Sequence, residues 1–326
     1  MSMTRFLVRR IFEIVVTLFI IATLIFVLFR VMPGDPAAMV VNPKMTPELK
    51  EILRMRFGLD KPLWEQYVIY VNNLLHGEFG TSFYWEGDVF DILKTRIFPT
   101  ILLFTTGTLL AYALGVNLGR IIAWRRGGNL EYGFTVGGLF FLTMPIFWIG
   151  LLAIWLLSYR LDVFPVGGMI TPEIWSAPGG VSLLTKIADV GYHLFLPLTV
   201  YTIVIFAGNM LLMKNSMLET LKEDYIITAR AKGLPEKKVR DHHAARNAML
   251  PVVTALSLAM AFSFNGGVIT ETTFSWPGLG RTLVQASLSH DYPLAQGAFI
   301  MLAGVVLMAV LAADILYAYL DPRITY

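Results

Sequence analysis

Residues 11–32 read IFEIVVTLFIIATLIFVLFRVM, and the two ionisable residues of this run, Glu13 and Arg30, each lie close to one of its ends. A helix of about 20 apolar residues is long enough to cross the hydrocarbon core of a bilayer. Five further stretches have the same character: 99–123, 132–158, 193–213, 249–270 and 295–320. The sequence therefore predicts an all-α integral membrane protein with six transmembrane helices.

The composition agrees with several membrane spans. Of the 326 residues, 56% are hydrophobic and 15% are charged, and the mean hydropathy is +0.63. A soluble globular chain carries about 25% charged residues. The absence of cysteine excludes disulfides, thiolate metal sites and a cysteine nucleophile. The basic residues lie in short loops, which indicates membrane topology and not a nucleic-acid partner.

The N-terminal run is not typical of a cleavable signal peptide. Arg5, Arg9 and Arg10 precede it, but its length exceeds the roughly 7–15 apolar residues of a signal peptide. The residues that follow, Pro33-Gly34-Asp35-Pro36, offer no clean small-residue cleavage site. We expect an uncleaved first span.

The distribution of Lys and Arg predicts the orientation. Residues 1–32 form a basic N-terminus and first span, and the five-span core 99–326 contains a polar loop, 214–248, with eight Lys and Arg. The segments 33–98, 159–192 and 271–294 together hold most of the acidic residues. Positive loops stay in the cytoplasm. We expect both termini to be cytoplasmic, residues 33–98 to be extracytoplasmic, and the protein to lie in the cytoplasmic (inner) membrane.

The region 33–98 has two features of its own. Thr46-Pro47-Glu48 predicts the start of a helix over 46–57. Seven Trp, Tyr and Phe residues lie between Trp64 and Trp85. They suit either a docking platform for an external protein or ordinary anchors at the membrane interface, and the sequence leaves both open.

The most patterned polar segment is 219–251, ETLKEDYIITARAKGLPEKKVRDHHAARNAMLP. An apolar stripe at Leu218, Leu221, Tyr225 and Ala229 predicts one amphipathic helix that ends at Gly233. A second helix is expected to start at Pro235 and Glu236 and to run toward Pro251.

A helix-turn-helix in the largest cytoplasmic loop suggests a docking surface for a partner protein. Small side chains at Ala229 and Ala231 would let a partner approach closely. The alternative is an amphipathic helix that lies on lipid headgroups and has no protein partner.

The stretch Asp224–Leu234, DYIITARAKGL, resembles the coupling loop of binding-protein-dependent ABC importer permeases, specifically the dipeptide, oligopeptide and nickel permease family. Three further places are similar to that family: Arg9-Arg10 with RVMPGDP at 30–36, ETTFSWPGLGR at 271–281, and DILYAYLDPR at 314–323. The chain departs from the wider importer consensus because Ile227 and Thr228 replace its Glu and first Ala, so no role can be assigned to a consensus Glu.

The resemblance implies a type I ABC importer permease fold and a function as the first of two paired permeases. Two cytoplasmic ATPase subunits would bind below, and an extracytoplasmic solute-binding protein would deliver the substrate, with di- or oligopeptides ahead of nickel, glutathione or oligosaccharides. The chain has no G-x-x-x-x-G-K-[ST] run, so we expect ATP and Mg to be bound by the partners and no cofactor by this chain. The ATPase-docking residues implied are Asp224, Tyr225, Thr228, Ala229, Arg230, Ala231, Lys232, Gly233 and Leu234.

Two other groups of residues are candidates for the transport path. Polar or small residues within spans often line a pore, and they equally often serve helix packing. The pore candidates are Asn209, Asn265, Gly266 and Met144. The candidates for an external docking surface or gate are Trp276, Pro277 and Arg281.

Two other function classes remain as alternatives. An ion-coupled secondary transporter would need no ATPase, although the spans lack a central charge relay. A membrane hydrolase would need a nucleophile and base, and no G-x-S-x-G or H-E-x-x-H run is present. His242 and His243 point about 100° apart on a helix, so they share one metal poorly.

Overall fold

A computed structural model of the protein describes residues 3–31, 61–82, 84–262 and 267–320. Within these ranges the chain is almost entirely helical, which confirms the predicted all-α class. A two-residue antiparallel hairpin, with strands β1 (Thr81–Ser82) and β2 (Gly87–Asp88), is the sole strand pairing in them. The helix predicted over 46–57 and the motif RVMPGDP beyond Val31 lie outside the described residues.

The helices are numbered here in chain order. They are α1 (Met3–Val31), α2 (Leu63–Leu75), α3 (Val89–Trp124), α4 (Asn129–Thr143), α5 (Ile146–Ala153), α6 (Pro172–Trp175), α7 (Leu183–Thr220), α8 (Asp224–Ala231), α9 (Glu236–Lys238), α10 (Ala245–Phe262), α11 (Gly267–Thr273), α12 (Leu279–Leu288) and α13 (Tyr292–Leu320). Two π-helical turns extend this set, Ile154–Arg160 after α5 and Val239–Ala244 between α9 and α10.

Four of the described helices, α1, α3, α7 and α13, are long and apolar enough to cross a membrane. They coincide with the expected stretches 11–32, 99–123, 193–213 and 295–320, but most of them extend beyond the apolar core. The helix α7, for example, has 38 residues. Polar first and last turns continue the helix past the hydrocarbon layer, so hydropathy alone underestimates helix length.

The third expected stretch, 132–158, is bent and not straight. Its two halves, α4 and α5 with the π-helical turn, meet at an angle of 101°. Met144 has extended backbone angles (φ −79°, ψ 135°) and precedes Pro145. Proline lacks the N–H that would continue the helix and disfavours helical geometry in the residue before it, which accounts for the break.

The fifth expected stretch, 249–270, corresponds to two described helices, α10 and α11, on either side of residues 263–266, which are not described. On its N-terminal side the helical path begins well before residue 249. It runs from Glu236 through α9 and the π-helical turn into α10. The second helix predicted for the polar segment is therefore continuous with the apolar helix that follows it.

The described residues divide into two compact units, which are treated separately below. The first unit comprises the described parts of Met1–Thr100 and Pro277–Met308, and the second comprises Ile101–Trp276 with the chain after Ala309. In the first unit, α12 and the start of α13 pack with the N-terminal part of the chain.

In the first unit, a buried carboxylate fastens the hairpin to the start of α13. Asp291 accepts hydrogen bonds from the Ser82 hydroxyl and from the backbone N–H groups of Tyr84 and Leu294. Beside it, Gly297 lies so close to α3 that a Cβ there would approach Val89 Cγ1 to 2.6 Å. The hairpin is thereby held against the helices of its own unit.

In the second unit, α3 and α7 approach closely through two glycines four residues apart. A Cβ on Gly115 would lie 2.9 Å from Asn209 Cβ, and a Cβ on Gly119 would lie 2.5 Å from the carbonyl oxygen of Met210. Small residues at this spacing let helix backbones meet within a membrane, where packing and not hydrophobicity drives association. This contact holds the end of α3 beside the end of α7, where the polar segment 219–251 begins.

Candidate functional site

The first helix of the polar segment 219–251 is shorter than the apolar stripe predicts. Leu218 lies in α7 and Leu221 is the C-cap of that helix. Glu223 then adopts extended angles (φ −74°, ψ 142°) before α8 begins at Asp224. The predicted stripe is thus wrong as a single helix face, because the extended residue turns the chain between its two halves.

The predicted end of this helix is confirmed. Gly233 has φ +70°, the left-handed conformation that terminates helices and that favours glycine. Its N–H donates to the carbonyl of Arg230 at 2.9 Å, and the N–H of Lys232 donates to that of Thr228 at 3.1 Å. Acidic Asp224 in the first turn and basic Arg230 in the last suit the helix dipole.

One face of α8 is buried in the chain's own core. Ile226 is 0% exposed and Ala229 is 5% exposed. They belong to an apolar cluster, called here the loop cluster, whose buried members also come from α3, α7, the π-helical turn and α10: Tyr112, Ala123, Met213, Met217, Val239, Ala244, Ala245, Ala248 and Val252. Leu234 packs against the same cluster. The segment is therefore held by hydrophobic burial.

The other face of α8 is open to solvent. Ile227 is 61% exposed, Tyr225 is 38% exposed, and Thr228 and Ala231 are exposed as well. Of the two small residues expected to admit a partner, Ala231 is on this outer face, but Ala229 points inward. Its small side chain fits against the loop cluster and not against another protein.

Polar contacts tie the rim of α8 to its neighbours. Arg230 lies over the ring of Trp124 at 5.5 Å from its centroid and pairs with Glu236 at 3.4 Å. The side-chain amide of Asn247 donates to the Tyr225 hydroxyl at 2.7 Å. These contacts join α8 to the end of α3 and to α9 and α10.

A second ionic contact joins the π-helical turn to α3. Arg240 donates to both carboxylate oxygens of Asp241, at 2.6 and 2.9 Å, and Arg120 lies 3.5 Å from the same carboxylate. The hydrogen bonds from Arg240 hold the pKa of Asp241 below its usual value, and they raise the pKa of Arg240. The carboxylate is therefore ionised at neutral pH and bridges two arginines.

The pore candidates occupy different settings. Asn209 is buried against Gly115 of α3, and its amide donates to the carbonyl of Ile205 at 3.2 Å, a position that fits the helix-packing alternative. Met144 is half-buried at the bend between α4 and α5. Asn265 and Gly266 lie outside the described residues.

The candidates for an external docking surface are also separated by burial. Trp276 is 0% exposed, so its ring is not on the surface of the chain. Pro277 and Arg281 belong to the first unit and are partly exposed. From the sequence, a tryptophan beside a Pro-Gly turn is compatible with an exposed ring or with a buried one. The structure shows that the ring is buried.

The titratable side chains do not gather into a metal site in the part of the chain that is described, where no group of three His, Asp or Glu residues has suitable geometry. His242 and His243 have ring centroids 5.4 Å apart and adjoin Asp241, which is engaged by arginines.

The chain has counterparts among known proteins. Residues 115–326 match the family described as the binding-protein-dependent transport system inner membrane component, and residues 3–105 match its N-terminal part. The chain belongs to this family. It is a permease subunit of the transporters that the family serves, and the resemblance stated from the sequence is confirmed.

Curated relatives match over nearly the whole chain. The oligopeptide transport system permease protein AppB of Bacillus subtilis (strain 168) is 35% identical over 325 residues, which cover 99% of this chain and 100% of the relative. The dipeptide transport system permease proteins DppB of Escherichia coli (strain K12) and of Lactococcus lactis subsp. cremoris (strain MG1363) are each 35% identical, over 337 and 323 residues, with 99% of both chains covered.

Two residues of α8 were missing from the set of docking residues expected from the sequence. Ile226 supplies the buried anchor of α8 and Ile227 supplies its exposed apolar group. The signal was present as two adjacent isoleucines, which must point to different sides of a helix, since neighbouring residues are about 100° apart. The sequence did not say which of them faces the core.

Proposed function

We propose that this permease is one of two paired subunits of an ATP-driven importer for di- or oligopeptides. The peptide substrate is suggested by the printed names of the relatives, which are oligopeptide and dipeptide permeases. Six spans, cytoplasmic termini and a position in the inner membrane complete the proposal. The second permease, two ATPase subunits and an external solute-binding protein are its partners, and ATP and Mg belong to the ATPases.

The observation that carries the proposal is the exposed apolar face of α8. Ile227, with 61% of its surface exposed, lies on a helix whose opposite face is fully packed. Ile227 and Ala231, one turn apart on the same face, form an exposed apolar patch with a charged rim, and such a patch marks a site of protein contact. We infer that the ATPase subunit docks on Tyr225, Ile227, Thr228 and Ala231, and that Asp224, Arg230 and Lys232 form the charged rim.

The packing of α8 supports its role in coupling. A force on Ile227 acts on Ile226 and Ala229, which contact Met213 and Met217 of α7 and Ala123 of α3 within one cluster. Because packed side chains are close to incompressible, such a force moves the helix ends instead of deforming the cluster. ATP-driven closure of the ATPases would in this way bias the permease between two conformations.

The test compares Ile227→Glu with Ser176→Glu in the full transporter complex. Both add one carboxylate at an exposed position, but Ser176 lies in a different segment. We expect Ile227→Glu to lower peptide uptake and ATPase co-purification roughly tenfold or more, as loss of a central interface residue does. Ser176→Glu should leave both unchanged.

Two outcomes would contradict the proposal. If Ile227→Glu retains wild-type uptake and its ATPases, docking takes place on another surface. If the permease purifies without ATPases and uptake follows a proton or ion gradient, the ion-coupled secondary transporter is the better description.

A further inference from the structure

A cavity of about 180 Å³ lies inside the first unit, at the end of α1 remote from Arg5 and Arg9. Its walls come from the last turn of α1, one side of α2, the turn before β1 and the first turns of α13. A water molecule needs about 10–15 Å³ of such space. The cavity therefore has room for a group of several heavy atoms.

Three polar atoms on the cavity wall have no hydrogen-bond partner among the described residues. They are Arg30 Nε, Gln66 Oε1 and the Tyr70 hydroxyl. Gln66 is only 8% exposed, and its amide nitrogen is already used in a hydrogen bond of 2.7 Å to the carbonyl of Lys61. A buried polar group without a partner is unfavourable unless a ligand supplies the missing hydrogen bond. Their gathering in one cavity indicates a bound polar ligand.

The groups are held in place by packing between α1 and α2. The Arg30 guanidinium lies 5.4 Å from the ring centroid of Phe26, and the Phe26 and Tyr70 rings are 5.4 Å apart. One helical turn away, the hydroxyls of Thr23 and Tyr67 share a hydrogen bond of 2.7 Å. Burial raises the pKa of Tyr70, so its hydroxyl keeps its proton and can donate. The donors on Arg30 and Tyr70 are thus already in place for a ligand group that accepts hydrogen bonds.

The charges on the wall define the ligand further. Arg30 and Glu78 both line the cavity, one cationic and one anionic. An anion alone would meet repulsion from Glu78, and a cation alone would meet repulsion from Arg30. A phosphate that accepts from Arg30 and Tyr70, joined to an ammonium that donates to Gln66 Oε1 and pairs with Glu78, satisfies all four groups.

The surroundings of the cavity favour a lipid over a soluble zwitterion. On α1, Val27, Leu28 and Val31 are exposed next to Arg30, and on α2 the apolar side chains of Trp64 and Val68 are exposed. An amphipathic helix of this kind lies at the headgroup level of a bilayer, and the end of a spanning helix reaches the same depth. Acyl chains would have apolar protein surface beside the headgroup.

We propose that this cavity binds the phosphoethanolamine headgroup of a membrane phospholipid. Its lining residues belong to α1, α2, residues 78–81 and α13, and none of them is among the pore candidates. Bound lipid would join α1 to α2 at the membrane surface.

The test measures lipid retention by native mass spectrometry of the full-length permease released from nanodiscs. Phosphatidylethanolamine is compared with phosphatidylcholine of the same acyl chains, because choline keeps the phosphate but has no N–H to donate. Arg30→Gln is compared with Arg160→Gln, since Arg160 also lies over an aromatic ring at a helix end, 5.5 Å from the Trp155 ring centroid, but outside this cavity. Tyr70→Phe keeps the ring packing and removes only the hydroxyl.

We expect phosphatidylethanolamine to be retained about tenfold more than phosphatidylcholine. Arg30→Gln should reduce retention about tenfold and Tyr70→Phe severalfold, as loss of charge-assisted and neutral hydrogen bonds does, whereas Arg160→Gln should have no effect. Equal retention of the two lipids, or no loss in Tyr70→Phe and Arg30→Gln, would overturn the proposal. Displacement of the lipid by equimolar free phosphoethanolamine or by a dipeptide would assign the site to a soluble zwitterion instead.

Discussion

Two polar segments of the second unit, residues 219–251 and residues 161–182, are both held against the long helix α7, but the main contacts differ. In the first, Ile226 and Ala229 are buried in an apolar cluster with Met213 and Met217. In the second, the buried carboxylate of Asp189 accepts three hydrogen bonds, and the Phe164 ring stacks on that of Phe195 with centroids 4.7 Å apart. The first segment is held mainly by a broad apolar cluster, and the second by hydrogen bonds to one carboxylate together with a smaller apolar contact.

The carboxylate of Asp189 collects three donors. The Thr171 N–H and hydroxyl donate at 2.8 and 2.7 Å, and the Trp175 indole N–H donates at 2.8 Å. Asp189 is almost fully buried, so each hydrogen bond is protected from water. The comparison teaches that one segment is fixed over a broad apolar area, whereas the other depends more heavily on a single buried carboxylate.

Among the substitutions that test this comparison, a charge placed in the loop cluster is expected to have the largest effect on stability. Ala229→Glu buries a carboxylate without a partner, which should lower the free energy of unfolding by about 3 kcal/mol or more. Ala231→Glu, two residues away and exposed, should change it by less than about 0.5 kcal/mol. Denaturant unfolding of the detergent-solubilised protein measures both. Equal stabilities would mean that the cluster does not hold α8.

The contrast between Ala229→Glu and Ala231→Glu also changes how transport defects are interpreted. Loss of uptake in Ala229→Glu would report damage to the permease itself, because the side chain faces inward. Only variants of the outward face, such as Ile227→Glu, report on docking.

A smaller effect is expected from Asp189→Asn, which keeps the shape of the side chain but loses the charge and one of its acceptor oxygens. The amide oxygen can keep the Thr171 and Trp175 N–H donors, but these hydrogen bonds lose their charge assistance and the Thr171 hydroxyl loses its carboxylate acceptor, with a cost of roughly 2 kcal/mol. Hydrogen–deuterium exchange should rise in peptides from 161–182 and stay unchanged in 224–248. Asp162→Asn is the matched control, since Asp162 is an exposed acid of the same segment. Faster exchange in both segments would show that the two fastenings are not independent.

The smallest effect sharpens the comparison within the first segment. The hydrogen bonds from Arg240 lower the pKa of Asp241 from the ordinary 3.8, so the ionised carboxylate is more stable in the folded state than in the unfolded chain. The pair therefore stabilises the fold above that pH, and the contribution is lost as pH falls through the lowered value. Because these groups are partly exposed, Asp241→Asn should cost less than about 1 kcal/mol at pH 7.

Unfolding of wild type and Asp241→Asn between pH 3 and 7 measures this contribution. The difference between the two proteins should shrink toward the acid end. A constant difference over the whole range would assign the effect of Asp241→Asn to packing and not to its charge.

Much of the architecture follows from local sequence. The apolar stretches at 11–32, 99–123, 193–213 and 295–320 become long helices because a bilayer requires every backbone group to be bonded within its own segment. Gly233 ends α8 because only glycine adopts the left-handed angles there without strain. The bend at Pro145 has an equally local cause, although the continuous hydropathy of 132–158 conceals it.

What the sequence by itself determined is thus the membrane class, the position of most helices, the end of the polar helix and the family. Only the tertiary structure decided which side of each element faces another. It turned Ile226 inward and Ile227 outward, buried Trp276, and gathered Arg30, Gln66 and Tyr70 around one cavity. The physical reason is that a short helix such as α8 carries apolar side chains on adjacent residues, so periodicity does not mark its packed face, and contacts between distant segments depend on shape.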